Sequence, residues 1–278
     1  MKILIIGICI ILFFCFFSFT QGEKKIPYGN NPAAGKYYDI RGIKMYCEIY
    51  GSGRPLLMIH GNGGSIGSFE NNIPFFSKHY RVIIADSRSQ GKSKDAGDSL
   101  SFEMMADDEA ALLNALQVYS ADVLGWSDGG IVALLLAMRH PEKVKKLAST
   151  GANLWPDSSA IVSSVWENDK AIFDSFGSTE PESEEGKNNR KLFLLDWLQP
   201  NISLAELHEI KCPSLIIGGD HDVIKTEHTT MIFQNIPNAE LWIVPNSGHE
   251  TLIEHKDEFN KKVAEFFYEP LSRKKLKY

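Results

Sequence analysis

Val123-Leu124-Gly125-Trp126-Ser127-Asp128-Gly129-Gly130, continued by the apolar run Ile131 to Met138, is the stretch on which the reading of this chain turns. A short apolar strand, a serine with a glycine two residues to either side, and an apolar helix make the strand–turn–helix context of a nucleophile elbow. A side chain at the flanking positions would collide with the neighbouring strand or helix, so glycine fits there. Such a turn lifts the Ser127 hydroxyl above a sheet and sets it at a helix start. Open N–H groups and the helix dipole favour negative charge at that point. A glycine-flanked serine alone is commonly just a loop. The strand before it and the helix after it make Ser127 a candidate nucleophile.

A serine hydroxyl is a weak nucleophile without a base, and the base needs an orienting group. The C-terminal third supplies candidates for both. Ser214 to Gly219 is an apolar strand ending in glycines and followed by Asp220-His221-Asp222. Leu241 to Val244 is another, followed by Pro245-Asn246-Ser247-Gly248-His249. Groups just past the ends of parallel strands share the carboxyl edge of the sheet, where ligands bind in open α/β sheets. Ser127, Asp222 and His249 are therefore the candidate triad, with Asp220 as the competing acid. Leu56 to Ile59 runs into His60-Gly61-Asn62-Gly63-Gly64, a loop able to bring a main-chain N–H close to a substrate oxygen. The backbone N–H groups of Asn62 and Asp128 are the expected oxyanion hole. The loop lacks the Gly-Lys-Ser/Thr ending of a nucleotide-binding loop, and His60 reads as its brace, not as a base.

Tyr37 to Tyr50 alternates around Arg41-Gly42 and reads as a hairpin. Strand patterns at Leu56–Ile59, Val82–Ala85, Asp122–Gly125, Lys145–Thr150, Leu215–Gly218 and Leu241–Val244 follow. Helical stretches such as Ser101–Gln117 and Asp128–Arg139 lie between them. This is the α/β class, a mostly parallel sheet with helices on both faces. Asp107, Asp108 and Glu109 are expected on the solvated face of the first of those helices. The rhythm breaks from Asn153 to Glu209, too long for an ordinary connection. Its Trp155, Trp166, Phe173, Phe176, Phe193 and Trp197 sit among helix-compatible stretches, so it reads as a small helical cap over the catalytic edge. The Glu182 to Glu185 run is expected as an exposed connection within it.

These segments make the chain resemble the α/β-hydrolase superfamily from about Lys36 to Phe267. The His-Gly-x-Gly-Gly loop, Asp86-Ser87-Arg88-Ser89-Gln90-Gly91-Lys92-Ser93, the elbow, the Gly-x-x-Asp turn and the Ser-Gly-His turn stand in family order. The order Ser…Asp…His is also that family's, unlike trypsin-like or subtilisin-like enzymes. Counting the acid turn from Gly219 favours Asp222 over Asp220. Gly-Trp-Ser-Asp-Gly-Gly is most similar to the valacyclovir-hydrolase (biphenyl-hydrolase-like) group of esterases, and other segments resemble enol-lactonases and ring-cleavage hydrolases. Ser89 stands where a glycine is usual, which is expected to adjust a loop and leave the chemistry alone.

The resemblance implies a serine esterase for a small carboxylic ester, needing no cofactor. Asp128 suggests an amino-acid ester, its carboxylate pairing with a substrate ammonium, although an aspartate at that place could equally cap the helix. Trp126 and Trp155 are the further candidates for the substrate pocket. Lactone opening and carbon–carbon hydrolysis begin with the same carbonyl chemistry and stay open, as does ligand binding without catalysis. Asp220-His221-Asp222 with His228 and His249 could ligate zinc. No His-x-Glu-x-x-His pairing accompanies them, and the elbow would go unexplained, so no metal is expected. His221, His228 and His255 read as surface or packing residues.

Lys2, the apolar run Ile3 to Phe19 and the small residues up to Gly22 form the pattern of a secretory signal over residues 1–22. At about 17 residues the run also meets the lower limit of a membrane span, which leaves an N-terminal membrane anchor as the alternative. Either reading makes this an exported protein, periplasmic or secreted. The expected layout then continues with a polar tether at 23–35, the core at 36–152 and 210–268, the cap at 153–209, and a basic, solvated tail at 269–278. A formal charge of −6 argues against a nucleic-acid partner. Export permits a disulfide. Cys47 and Cys212 nevertheless belong to opposite sides of the inferred sheet, beyond the ~7 Å Cα reach of a bridge, and are expected as free thiols.

Overall fold

The computed structural model describes residues 26–176, 181 and 183–268. The expected signal segment, the first residues of the tether and the basic tail lie outside the described residues.

Eight strands form one sheet in the order β1-β2-β4-β3-β5-β6-β7-β8. β1 (Gly35–Ile40) and β2 (Ile43–Tyr50) make the hairpin, with Arg41 and Gly42 both at positive φ as a two-residue turn requires. β2 runs antiparallel to β4 (Tyr80–Ala85). From there β3 (Arg54–Ile59), β5 (Ala121–Trp126), β6 (Val144–Thr150), β7 (Ser214–Gly219) and β8 (Ala239–Val244) are parallel. Every parallel strand thus ends at the same edge.

Side-chain alternation splits the core in two. On β3, Leu57 and Ile59 join the cluster beneath α2 (Phe102–Ala115) and α3 (Asp128–Arg139). Leu56 and Met58 join the opposite cluster, with α1 (Ile73–Phe76) and α8 (Lys256–Tyr268). Both sheet faces are covered, which is why the central strands read as continuous apolar runs. Ser101 begins α2 by accepting a hydrogen bond from the Met104 N–H at 3.1 Å, a cap that needs no glutamate three residues on.

One expectation fails on α2. Only Asp107 is partly solvated; Asp108 and Glu109 are 1% and 3% exposed. Asp108 accepts a two-pronged bond from Arg88 at 2.6 and 2.8 Å and another from Arg41 at 3.1 Å. Its neutraliser lies 20 residues away, beyond any helical periodicity. Glu109 has no such partner among the described residues, and burial pushes its carboxyl up to about 8. The thiols of Cys47 on β2 and Cys212 before β7 are unpaired. Five strand spacings of ~4.8 Å put them on the order of 24 Å apart.

Between β6 and β7 the chain builds α4 (Ser163–Ser175) and α5 (Glu184–Leu198). The flanks of this insertion belong to the core, since Leu154, Ile202, Leu207 and Ile210 are buried in it. Ser183, Glu184 and Glu185 are not a connection but the start of α5: the Ser183 hydroxyl accepts from the Gly186 N–H at 3.0 Å, and two acids in the first turn suit the dipole. α5 is tied down along its length. Asn188 donates to the Ser89 carbonyl at 2.8 Å, Lys191 to the Gly97 carbonyl at 2.8 Å, and Gln199 just beyond it to the Leu100 carbonyl at 3.1 Å. Ser89 has φ 67, the left-handed region where glycine is the undemanding choice, so its departure from the family pattern is a local loop matter.

Candidate active site

Ser127 sits between β5 and α3 with φ 57 and ψ −122, a strained backbone for a residue with a side chain. The surroundings hold it there. The Ser127 N–H donates to the Thr150 carbonyl at 2.9 Å, and its own carbonyl accepts from Gly130 and Ile131 at 2.7 and 3.1 Å. The flanking glycines are sterically required: a Cβ on Gly125 would meet the Gly129 carbonyl, and one on Gly129 would meet the Ile59 carbonyl, both far inside contact distance. The helix therefore starts against the end of β3, with the Asp128 N–H in its open first turn.

His249 lies in the turn after β8. Its Nε2 accepts from the Ser127 hydroxyl at 2.8 Å, and its Nδ1 donates to Asp222 Oδ1 at 2.7 Å. Asp222 follows β7, is buried, and also accepts from the Ile224 N–H at 3.0 Å. Asp220 faces elsewhere, accepting from the Ser247 N–H at 3.1 Å and so fixing the histidine turn. Glu254 on α7 (Thr251–Glu254) holds the same turn through Gly248 N–H at 2.7 Å and the Ser247 hydroxyl at 3.0 Å. Gly151 follows β6, and a Cβ there would press on the imidazole at 2.8 Å. Sequence reading passed over it, because nothing local marks a glycine that faces a residue 98 positions away.

His60 braces the loop after β3. Nδ1 donates to the Gly61 carbonyl at 2.8 Å and Nε2 accepts from Ser87 N–H at 2.9 Å. Burial lowers its pKa, so the ring stays neutral. The loop runs close to the nucleophile: a Cβ on Gly61 would lie 3.6 Å from the Ser127 hydroxyl oxygen, and Asn62 follows. His228 is a buried packing residue. It accepts from the Leu154 N–H at 2.9 Å, and burial lowers its pKa to about 4.

A cavity of about 240 Å³ opens onto Ser127 and His249 under α4 and α5. Trp166, Phe193 and Trp197 from these helices line it. Trp126 and Trp155 do not, contrary to expectation. Trp126 donates to the His249 carbonyl at 2.9 Å and so supports the histidine turn from behind. Trp155 packs edge-on against His228 at 4.7 Å and bonds Ser159, at the root of the cap. Phe173 and Phe176 pack against Trp197 and Phe193, behind the cavity wall. Asp128 does line the cavity, and its carboxyl is not a helix cap. It faces Asp196 of α5, with the Asn62 amide reaching both carboxyls. Burial, then mutual repulsion, raises the Asp128 pKa well above the carboxylate range, since two facing carboxylates cannot both ionise cheaply. Asp196 and Asp169, which also lines the cavity, drew no attention in the sequence; both sit on helices whose placement is a tertiary matter.

A family model for the alpha/beta hydrolase fold matches residues 54–193. The chain belongs to that family and is a hydrolase. It is 25% identical to the serine hydrolase BPHL of Mus musculus, over 88% of this chain and 90% of that protein. It is 28% identical to the 2-hydroxymuconate semialdehyde hydrolase of Pseudomonas sp. strain CF600, over 86% and 96%. Among solved structures, the meta-cleavage product hydrolase of Pseudomonas fluorescens superposes with a TM-score of 0.70 at 25% identity, covering 85% of this chain and 98% of that one.

Proposed function

We propose that this protein hydrolyses a small carboxylic ester, an amino-acid ester best fitting the cavity, through an acyl-enzyme on Ser127. The observation that carries this reading is the continuous hydrogen-bonded line from Ser127 through His249 to Asp222, opening onto a cavity. His249 Nε2 takes the hydroxyl proton as Oγ attacks the ester carbonyl, and Asp222 holds the imidazole orientation and offsets its positive charge. The Asn62 and Asp128 N–H groups receive the oxyanion, worth roughly 3 kcal/mol for one good donor. His249 passes its proton to the departing alcohol oxygen as the C–O bond breaks, then takes one from the water that attacks the acyl carbon and returns it to Ser127 Oγ as the acyl–Oγ bond breaks and the acid leaves.

Two relatives point to different bonds, and the electrostatics of the cavity favours one. A muconate-type substrate carries a carboxylate, which would meet Asp128, Asp169 and Asp196 with no lysine or arginine among the described lining residues. A neutral or cationic ester meets no such repulsion. If residues 1–22 act as a signal, this hydrolysis takes place outside the cytoplasm. The deciding variant is Ser127→Ala: turnover of 4-nitrophenyl and aminoacyl esters should fall by roughly 10⁴-fold or more, fluorophosphonate labelling should vanish, and the melting temperature should hold. An unchanged rate would refute the assignment.

A further inference from the structure

The cavity contains more carboxyl groups than ester hydrolysis uses. Asp128, in the floor, is 4% exposed, and its Oδ2 finds no hydrogen-bond donor among the described residues. What faces it is Asp196 of the roof. Asp196 is an exposed residue that lines the cavity. Asp169 of α4 lies near enough to Asp196 to repel it. The result is a row of three carboxyls leading from Ser127 along the roof, with no lysine or arginine lining the cavity among the described residues and with His249, whose charge draws the Asp196 pKa down, at its inner end. The Asn62 amide reaches Asp128 and Asp196 but carries no charge, and clustered carboxyls ionise at a cost. A cationic ligand removes that penalty, and an interaction made only on binding favours the correct substrate over its neutral analogue.

The spread of the row limits what the cation is. No three His, Cys, Asp or Glu side chains among the described residues converge closely enough to hold a metal ion. A single ammonium beside Asp128 would leave Asp169 without a cationic counterpart. Trp166 and Trp197, stacked at 5.8 Å with planes 29° apart, add indole surface to the same wall. Indoles accommodate both methylene chains and ammonium groups. The volume, about 240 Å³, falls below the ~300–1,000 Å³ of pockets for drug-sized ligands, so the chain is short.

We propose that the site takes diamino acyl groups: an α-ammonium at Asp128 beside the reacting carbonyl, and a second ammonium, at the end of a short methylene chain, between Asp196 and Asp169. This rests on the hydrolase reading and adds the substrate class. Asp169 and Asp196 are then specificity residues that touch substrate remote from the reacting bond.

The test compares kcat/KM for the ethyl esters of lysine and of norleucine, which keeps the side chain's four carbons and lacks the terminal amine. The unaltered protein should prefer the lysine ester by roughly tenfold or more, and the preference should shrink severalfold in Asp169→Asn and in Asp196→Asn. No preference, or one that both variants keep, overturns the proposal. If neither ester nor a 4-nitrophenyl ester is turned over, the hydrolase reading has failed instead. Calorimetry of lysinamide against norleucinamide on Ser127→Ala then decides the site separately: tighter lysinamide binding supports it and equal binding overturns it.

Discussion

α3, in the floor of the cavity, buries every residue from Asp128 to Ala137, whereas α4, in the roof, buries none among the described residues. The floor is locked by close-packed backbone: Gly129 lies against the end of β3, and Ser127 is held to the end of β6. The roof is held by side chains, through the contacts of α5 with the loops around Ser89 and Gly97. Reaction geometry tolerates errors of only a fraction of an ångström, and Ser127, His249 and Asp222, the proposed proton relay, sit on the floor and at strand ends. Recognition tolerates more, and the carboxyls and indoles that line the cavity come mostly from the roof.

The sharpest way to break this division is Asp222→Asn. With the imidazole left in the wrong tautomer, kcat should fall on the order of 10⁴-fold, while Asp220→Asn, which only loosens the histidine turn, should cost far less. The reverse ranking would move the acid to Asp220. A smaller effect compares packing. Leu134→Ala in α3 removes a fully buried side chain and should cost about 2–5 kcal/mol in denaturant unfolding. Phe173→Ala in α4, where the ring is 36% exposed, should cost about 1 kcal/mol. Equal costs would mean that the roof is as rigidly built as the floor.

A pH-dependent effect concerns Glu109. Its folded pKa of about 8 lies above the unfolded value near 4.5. Between those values the unfolded chain has released a proton that the native state keeps, so stability falls as pH rises from about 4.5 to 8. Glu109→Gln removes this slope. The variant should match the parent near pH 4.5 and exceed it by on the order of 1–3 kcal/mol near pH 8. A parallel pair of stability curves would show that Glu109 is ionised in the fold.

The strands and main helices were legible because period-two and period-3.6 patterns are local, as at Leu56–Ile59 and Asp128–Arg139. The Ser127, Asp222 and His249 positions were legible for a related reason. Each follows a strand, and parallel strands deliver their ends to one edge whatever lies between them. The roles of Trp126 and Trp155 were misjudged, since a ring near the site in sequence can point behind it as easily as into it. Asp108 misled because helical periodicity does not report a buried arginine contributed by a distant loop, and Glu109 because a carboxyl kept protonated by burial looks in sequence like any charged one.

The sequence alone determined the sheet, the elbow and the order of the reacting groups, because these follow from short-range sterics and from chain direction. Only the tertiary structure decided that Asp128, Asp169 and Asp196 share one cavity. They come from three helices, and no local pattern relates them. Their meeting depends on how the roof lies across the rim, a placement set by contacts such as Lys191 with Gly97, whose partners are 94 residues apart.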